Sequence, residues 1–286
     1  MLERLARPFA GFAGALGRFM DAFYRALGRP GRLLQDFLNG VWLGHALHPI
    51  LTDVVIGGAT VAVLLMVLTW FGVEGLYVAI AWTLGLTVLA ALGAAVSGLT
   101  DFKDTAGDEQ NIAAVHGIVN VLAVIGLVIA LVAAIGESAA LLGVSLLVAY
   151  GLLTISGFLG GHVVFKYGSM VNHNDFPAAR RAKEFTAILP VADLPEATPT
   201  RAMLGTTALV VVRRGDVVHA LKETCAHAGG PLSKGELKGD VIVCPWHASH
   251  FSLLDGRVVH GPATHRQPAY AARINGDQVE VQGPIE

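Results

Sequence analysis

The sequence predicts a bundle of four membrane-spanning helices, preceded by an interfacial helix and followed by a small all-β domain. Of the 286 residues, 53% are hydrophobic and only 15% are charged, whereas soluble domains are about a quarter charged. The apolar excess lies almost wholly between residues 50 and 165. From about residue 184 the chain changes to short apolar runs separated by turn residues. The predicted domains are therefore residues 1–47, 48–183 and 184–286.

The first segment, residues 1–47, carries large apolar side chains at roughly helical spacing with six arginines between them. This pattern is typical of an amphipathic helix that lies in the membrane interface. We expect a break near residues 28–30, where glycine and proline occur. A surface helix packed on a neighbouring subunit fits the same pattern. The segment lacks the sustained apolar core of a cleavable signal peptide.

Four apolar stretches follow, at residues 50–71, 76–99, 112–135 and 139–165. Each approaches the roughly 20 residues that a helix needs to cross a hydrocarbon core about 30 Å thick. Glycines recur inside them, as close packing between membrane helices favours. We therefore predict four transmembrane helices.

The charges of the connecting loops predict their orientation. The loops near residues 73–75 and 136–138 contain Glu74 and Glu137 but no lysine or arginine. Positive residues occur instead before the first stretch, at Lys103, and after the last stretch. By the positive-inside rule, both termini and the β domain lie on the cytoplasmic side of a bacterial inner membrane.

The last domain reads as short strands and tight turns. Apolar runs at residues 208–212 and 241–243 are bounded by Gly-Asp pairs at 215–216, 239–240 and 276–277. Such pairs favour hairpin turns between strands. The formal net charge of −2 argues against a nucleic-acid partner, which usually requires a basic patch.

The chain has two cysteines, and each is followed closely by a histidine. Cys225 and His227 form a C-x-H pair, and Cys244 and His247 form a C-x-x-H pair, with sixteen residues between the two pairs. This context indicates metal binding more than a disulfide. A Cys₂His₂ zinc site uses the same ligand types, but zinc sites usually group cysteine with cysteine and histidine with histidine.

The two pairs and their surroundings resemble the Rieske family. The resemblance covers residues 184–286 and includes the segments 253–256 and 261–263. It implies a [2Fe–2S] cluster in which two thiolates hold one iron and two imidazoles hold the other. Around the cluster it assigns supporting positions to Gly229, Gly230, Pro245 and Ser249. Glycine and proline there let the backbone approach the cluster and fix the turns.

Departures from the Rieske proteins of cytochrome bc complexes predict an intermediate reduction potential. Two extra cysteines that join the loops in those proteins correspond to Gly230 and Trp246 here. By the resemblance, Ser249 matches a serine that donates a hydrogen bond to a bridging sulfide, whereas Phe251 replaces a tyrosine donor. Donors to sulfur favour the reduced cluster, so retaining one of two places the potential between the family's extremes.

A second group of polar residues lies near the predicted cytoplasmic end of the membrane helices: His48, Asp53, His116 and Asn120. Three interpretations are open: helix capping, a quinone pocket, and a haem b held by His48 and His116. The segment from His45 to Ile50 also resembles a widespread four-helix membrane family of unknown function.

The whole architecture resembles the membrane-anchor subunit of a bacterial succinate dehydrogenase that carries a Rieske cluster. That resemblance implies flavoprotein and iron–sulfur subunits as partners, and a quinone, menaquinone by preference, as acceptor. It also leaves room for a higher oligomer, and it assigns no catalytic residue to this chain. The main alternative is a membrane-tethered Rieske ferredoxin that feeds another redox partner. A redox sensor is a third class, for which the sequence supplies no output module.

Overall fold

A computed structural model describes residues 1–174 and 182–285. These residues form two compact units. One unit comprises Met1–Gly31 and Ala46–Tyr167, and the other comprises Arg32–His45 and Gly168–Glu286. The N-terminal segment 1–47, predicted as one domain, is thus divided between the units after Gly31, and the boundary at residue 183 stays a prediction. Arg180 and Arg181, which the orientation argument counted, lie outside the described residues.

The N-terminal segment is helical. It consists of α1 (Leu2–Ala6), a 3₁₀ turn (Arg7–Phe9) and α2 (Ala10–Asn39). Within α2, Gly28 leaves the helical conformation at φ 59° and ψ −127°. Side chains other than glycine rarely adopt such a positive φ, and Pro30 follows closely. The predicted break near residues 28–30 is therefore confirmed.

Four long helices complete the first unit: α3 (Leu47–Trp70), α4 (Tyr77–Phe102), α5 (Gly107–Ile135) and α6 (Ala139–Tyr167). All four are long and apolar enough to cross a membrane, as predicted. The largest difference is in α5, which begins five residues before the predicted start at 112. Asp108 and Glu109 occupy its first turn, where acidic side chains interact favourably with the helix dipole although they are not apolar.

Alanines are interspersed with larger side chains such as Met66 and Leu84 in the centre of this bundle, and large apolar side chains cover its outside. Ala59, Ala62, Ala123, Ala130 and Ala149 are completely buried. The helices can therefore approach closely, as packing between membrane helices requires. Leucine, valine and isoleucine dominate the exposed faces, for example Leu86 and Ile125, which suits a surface in contact with lipid.

The second unit contains two antiparallel sheets. The larger sheet has the strand order β1-β10-β9-β4-β3-β2, and the smaller has the order β5-β6-β7-β8. The strands are β1 (Ala182–Pro190), β2 (Thr200–Leu204), β3 (Thr207–Arg214), β4 (Val217–Lys222), β5 (Glu236–Lys238), β6 (Val241–Val243), β7 (His250–Ser252), β8 (Val258–His260), β9 (Ala269–Asn275) and β10 (Gln278–Ile285). The prediction of a small all-β domain is confirmed.

The predicted turns of this domain are also present. Gly215, Gly239 and Gly276 each adopt a φ near +60° between paired strands. These strands place two loops side by side at the smaller sheet: the segment between β4 and β5, and the segment between β6 and β7. Phe251 and Leu232, both fully buried, pack beneath the two loops together with the ligand cysteines predicted above.

Candidate metal centre

The first loop, between β4 and β5, folds back on itself around Cys225. The backbone N–H of Gly229 donates to the Cys225 carbonyl at 2.9 Å, and the Cys225 N–H donates to the Gly230 carbonyl at 2.9 Å. Gly229 adopts a φ of +80°, which a side chain would strain. This compact turn brings Cys225 and His227 to the same end of the loop.

The second loop, between β6 and β7, repeats this pattern around Cys244. The Ala248 N–H donates to the Cys244 carbonyl at 3.1 Å, and the Cys244 N–H donates to the Ser249 carbonyl at 2.9 Å. In both loops the returning N–H lies four residues after the cysteine and the accepting carbonyl lies five residues after it. Two loops of matching backbone conformation can therefore present Cys and His in the same way.

The two loops sort their side chains by type. The Nδ1 atoms of His227 and His247 lie 3.2 Å apart, and the ring centroids lie 4.9 Å apart. Cys225 and Cys244 are both buried free thiols within hydrogen-bonding reach of each other. Two sulfurs on one side and two imidazole nitrogens on the other are the donor set of a cluster whose irons have Cys₂ and His₂ ligands.

The thiols influence each other's acidity. The Cys225 thiol can donate a hydrogen bond to the Cys244 sulfur, which lowers the pKa of Cys244. The same hydrogen bond, together with burial, raises the pKa of Cys225. Because metals bind thiolates, an easily ionised Cys244 next to a buried partner is a favourable start for metal binding.

Gly230 lets the two loops approach each other. A Cβ added there would lie 2.8 Å from the Cys244 sulfur and 3.1 Å from the Trp246 ring. The two positions that carry the extra cysteines in cytochrome bc complexes are therefore neighbours in this chain too. Trp246 itself is 57% exposed at the rim of the site, and Pro245 is exposed beside it.

Ser249 is completely buried behind the second loop. Its hydroxyl oxygen accepts a hydrogen bond from the Ala263 N–H at 3.0 Å. The hydroxyl hydrogen is thereby left to be donated elsewhere, as the resemblance requires of a donor to sulfide. This bond also ties the loop after β8 to the ligand loop.

Gln267 supports the first ligand loop, and the sequence reasoning missed it. Its buried side chain accepts the Ala226 N–H at 3.0 Å and donates to the carbonyls of Lys222 and Thr224 at 2.5 Å. Asn174 adds a hydrogen bond from Nδ2 to the same Gln267 oxygen at 3.1 Å. No periodic pattern marks a single buried amide, so the sequence carries no signal that could have found it.

In the helical unit, the structure brings together three of the four residues predicted for a quinone pocket. The rings of His48 and His116 have centroids 6.3 Å apart. Asn120 Nδ2 lies 3.1 Å from His116 Nε2. Asp53, by contrast, is exposed on α3.

The β unit's donor set defines the class of protein. The sequence pattern of the Rieske [2Fe–2S] domain matches residues 184–271. The site and the sequence relatives agree on this family, and the chain belongs to it. A second pattern, that of a predicted membrane protein family (DUF2231), matches residues 44–173.

The relatives of the second unit, which contains the two β-sheets, include small ferredoxins. Ferredoxin CarAc of Metapseudomonas resinovorans is 35% identical over 80 residues, which are 28% of this chain and 75% of the ferredoxin. The 3-phenylpropionate/cinnamic acid dioxygenase ferredoxin subunit of Shigella boydii serotype 4 (strain Sb227) is 31% identical over 97 residues, 33% of this chain and 90% of that subunit. These matches cover only the β unit's share of the chain.

One solved structure matches about the same share of this chain as these two relatives do. The ferredoxin of carbazole 1,9a-dioxygenase from Nocardioides aromaticivorans IC177 is 25% identical, with a TM-score of 0.34. The match covers 35% of this chain and 99% of the ferredoxin.

Proposed function

We propose that this chain is a membrane-tethered Rieske electron carrier that serves a separate redox partner. Cys225 and Cys244 hold one iron of the [2Fe–2S] cluster, and His227 and His247 hold the other. Such a cluster takes up and releases one electron at a time. The observation that carries the proposal is the sorting of thiols to one side and imidazoles to the other by two matched loops.

The class of partner follows from the relatives. One of the ferredoxins named above is, by its name, a subunit of a dioxygenase, so we infer an oxygenase or reductase component as the partner of this chain. The imidazole side is the natural place of contact, since Trp246 is 57% exposed there. The bundle would confine the exchange to a membrane surface, and the loop charges favour the cytoplasmic one.

Electron paramagnetic resonance of the full chain in detergent tests the proposal. After reduction with dithionite we expect a Rieske signal. His247→Ala should abolish that signal, because the second iron loses a ligand. His219→Ala is the matched control, since His219 lies on β4 outside both loops, and it should leave the signal unchanged. Iron-containing wild-type protein without a Rieske signal would refute the assignment.

A narrower hypothesis makes the chain the anchor of a succinate dehydrogenase that reduces menaquinone. Its support is the resemblance of the architecture, and it includes a quinone pocket at His48, Asp53, His116 and Asn120. The two relatives described above instead bear the names of a ferredoxin and of a dioxygenase ferredoxin subunit, so the hypothesis stays a prediction. Addition of succinate to native membranes decides it: reduction of the Rieske centre by succinate supports the anchor, and reduction only by dithionite favours the tethered ferredoxin.

A further inference from the structure

Two histidines of the helical unit are held by neighbouring helices in the same way. His48, on α3, has its Nδ1 2.8 Å from the carbonyl oxygen of Ala94 on α4. Its ring lies against Gly98, where an added Cβ would be 2.8 Å from the ring's Cε1. A side chain at position 98 would therefore displace the imidazole.

The second histidine repeats each of these contacts. His116, on α5, has its Nδ1 2.9 Å from the carbonyl oxygen of Ser156 on α6. A Cβ added at Gly160 would be 3.0 Å from the ring's Cε1. On both partner helices, the glycine follows the accepting residue by four positions, which is about one helical turn.

The correspondence extends through both helix pairs. When α3 is aligned with α5 so that His48 matches His116, buried positions of one helix match buried positions of the other. The same holds for α4 and α6 when Gly98 is matched with Gly160. On α3 and α5 these are Val55, Ala59, Ala62 and Met66, matched by Ala123, Leu127, Ala130 and Ala134. On α4 and α6 they are Ile80, Leu84, Thr87, Ala91 and Ser97, matched by Leu142, Leu146, Ala149, Leu153 and Leu159.

The bundle is therefore a repeat of two helix hairpins, α3–α4 and α5–α6, in the same order. A repeat of this kind relates its halves by an approximate two-fold axis. Each half contributes one histidine from an equivalent place, so the two imidazoles lie on opposite sides of that axis. Their ring centroids are 6.3 Å apart and their planes are inclined by 80°.

Each imidazole is oriented as a metal ligand would be. With Nδ1 against a backbone carbonyl, the ring carries its proton on Nδ1 and its lone pair on Nε2. Histidines that bind metals characteristically donate the other ring N–H to a carbonyl or carboxylate. Metal–nitrogen bonds to imidazole are about 2.0–2.1 Å long, and each nitrogen lies roughly 1.1 Å from the centre of its ring. Two imidazoles that bind one metal from opposite sides therefore have centroids about 6.3 Å apart.

We propose that His48 and His116 form a bis-imidazole metal site, which holds either haem iron or a bare transition-metal ion of the kind that imidazole favours. This goes beyond the electron-carrier function and does not depend on it. A quinone ring hydrogen-bonded to both histidines would need the two imidazoles to be much farther apart. Two hydrogen bonds of about 2.8 Å alone would take up most of the 6.3 Å between the ring centroids.

Two polar residues beside His116 have no equivalent beside His48. One is Ser156, whose Oγ lies 2.9 Å from the His116 Nδ1 and whose place is taken by Ala94 in the first hairpin, and the other is Asn120. Its Nδ2 lies 3.1 Å from the His116 Nε2 and satisfies the lone pair that a metal would take. At the corresponding position of the first hairpin, the Thr52 hydroxyl donates instead to the Pro49 carbonyl at 2.8 Å. Metal binding would displace Asn120, so Asn120→Leu should leave metal occupancy unchanged or raise it.

The test is made on the full chain, produced with haem precursor and transition metals supplied and purified in detergent. Haem is measured as its pyridine complex, and iron, copper, nickel and zinc are measured by mass spectrometry. Iron is counted above the two atoms that the [2Fe–2S] cluster takes. We expect about one haem or one additional ion per chain, and at least a tenfold loss in His48→Ala and in His116→Ala.

Matched controls separate loss of the site from loss of the fold. His162→Ala, which removes a histidine on α6 outside the pair, should keep full occupancy. Gly98→Ala should lower metal occupancy because its Cβ meets the His48 ring. Gly85→Ala on the same helix should keep full occupancy, since nothing lies within 4 Å of its Cβ. Haem in the wild type identifies haem iron, and an ion without haem identifies a bare metal. Wild-type protein with neither, or equal occupancy in wild type and both histidine variants, would overturn the proposal.

Discussion

Asp36 and His260 are 224 residues apart in the sequence, yet the carboxylate Oδ1 of Asp36 lies 2.7 Å from the His260 Nδ1. The same oxygen accepts the Gly261 N–H at 2.8 Å. Gly261 begins the loop whose Ala263 N–H reaches Ser249 behind the second ligand loop. One N-terminal carboxylate thus holds a loop that borders the metal centre.

Asp36→Ala is expected to destabilise the β unit by about 1–3 kcal/mol, because it leaves two partly buried donors without their charged acceptor. The measurement is thermal unfolding of the full chain, followed by loss of the cluster's visible absorbance. Asp216→Ala serves as the control, since Asp216 is an exposed turn residue, and it should change stability by less than about 0.5 kcal/mol. Equal effects of the two substitutions would show that the Asp36 contact contributes nothing.

Gln267→Leu should reduce cluster content, since it leaves the Ala226 N–H and two carbonyls of the first ligand loop unpaired. Each buried group left without a partner costs roughly 1–3 kcal/mol. Cluster per chain is measured by iron analysis and absorbance. Gln278→Leu is the control and should keep full cluster content, since Gln278 is the first residue of β10, directly after the turn that follows β9. A fully loaded Gln267→Leu protein would refute the supporting role.

Stability should fall as the pH is lowered from about 6.5 towards 4, in part because of His250. Burial lowers the pKa of His250 to about 4, and the nearby His260, Lys238 and Arg32 add to this, opposed by Asp36. The folded state then keeps His250 neutral while the unfolded state takes up a proton at its ordinary pKa, so unfolding gains free energy from protonation.

Urea unfolding at pH 7 and pH 4.5 tests this dependence by comparison of wild type with His250→Gln. The variant should lose less stability between the two pH values, since its side chain does not titrate. Protonation of other groups contributes equally to both proteins and cancels in the difference. An identical pH dependence in both would exclude His250 as a contributor.

The predicted orientation can be measured by thiol labelling in intact cells. The native Cys225 and Cys244 are buried, so an introduced cysteine should dominate the reaction with a membrane-impermeant maleimide. Glu74→Cys, in the turn between α3 and α4, should react in intact cells, and Arg29→Cys only after the membrane is opened. The reverse pattern would place the β unit on the outer side.

The sequence predicted the parts of this protein whose signals are periodic or local. Hydropathy located four helices, and Gly-Asp turns located the hairpins. The ligand pairs were found because only one residue separates Cys225 from His227. A cysteine and a histidine rarely occur this close together by chance. The start of α5 was less predictable, since its first turn is polar and helical hydrogen bonds continue regardless of hydropathy.

The relationships that the sequence did not reveal all join distant segments. Asp36 is one polar position in the N-terminal helix α2, and nothing local indicates that it contacts Gly261. Gln267 reads as an ordinary surface amide until its burial is known. Likewise, the sequence paired His48 with His116 only as one of three interpretations, and their equivalent settings became clear only when Gly98 and Gly160 were seen against their rings.

The two-hairpin repeat has a consequence for the origin of the bundle. If each hairpin supplies half of a symmetric site, then a single hairpin that paired with its own copy would have built the whole site as a homodimer. Fusion of two such hairpins frees each half to diverge, and Asn120 opposite Thr52 is a divergence of that kind. A synthetic chain containing two copies of α5–α6 would make the two halves identical and should still assemble four helices around a pair of histidines.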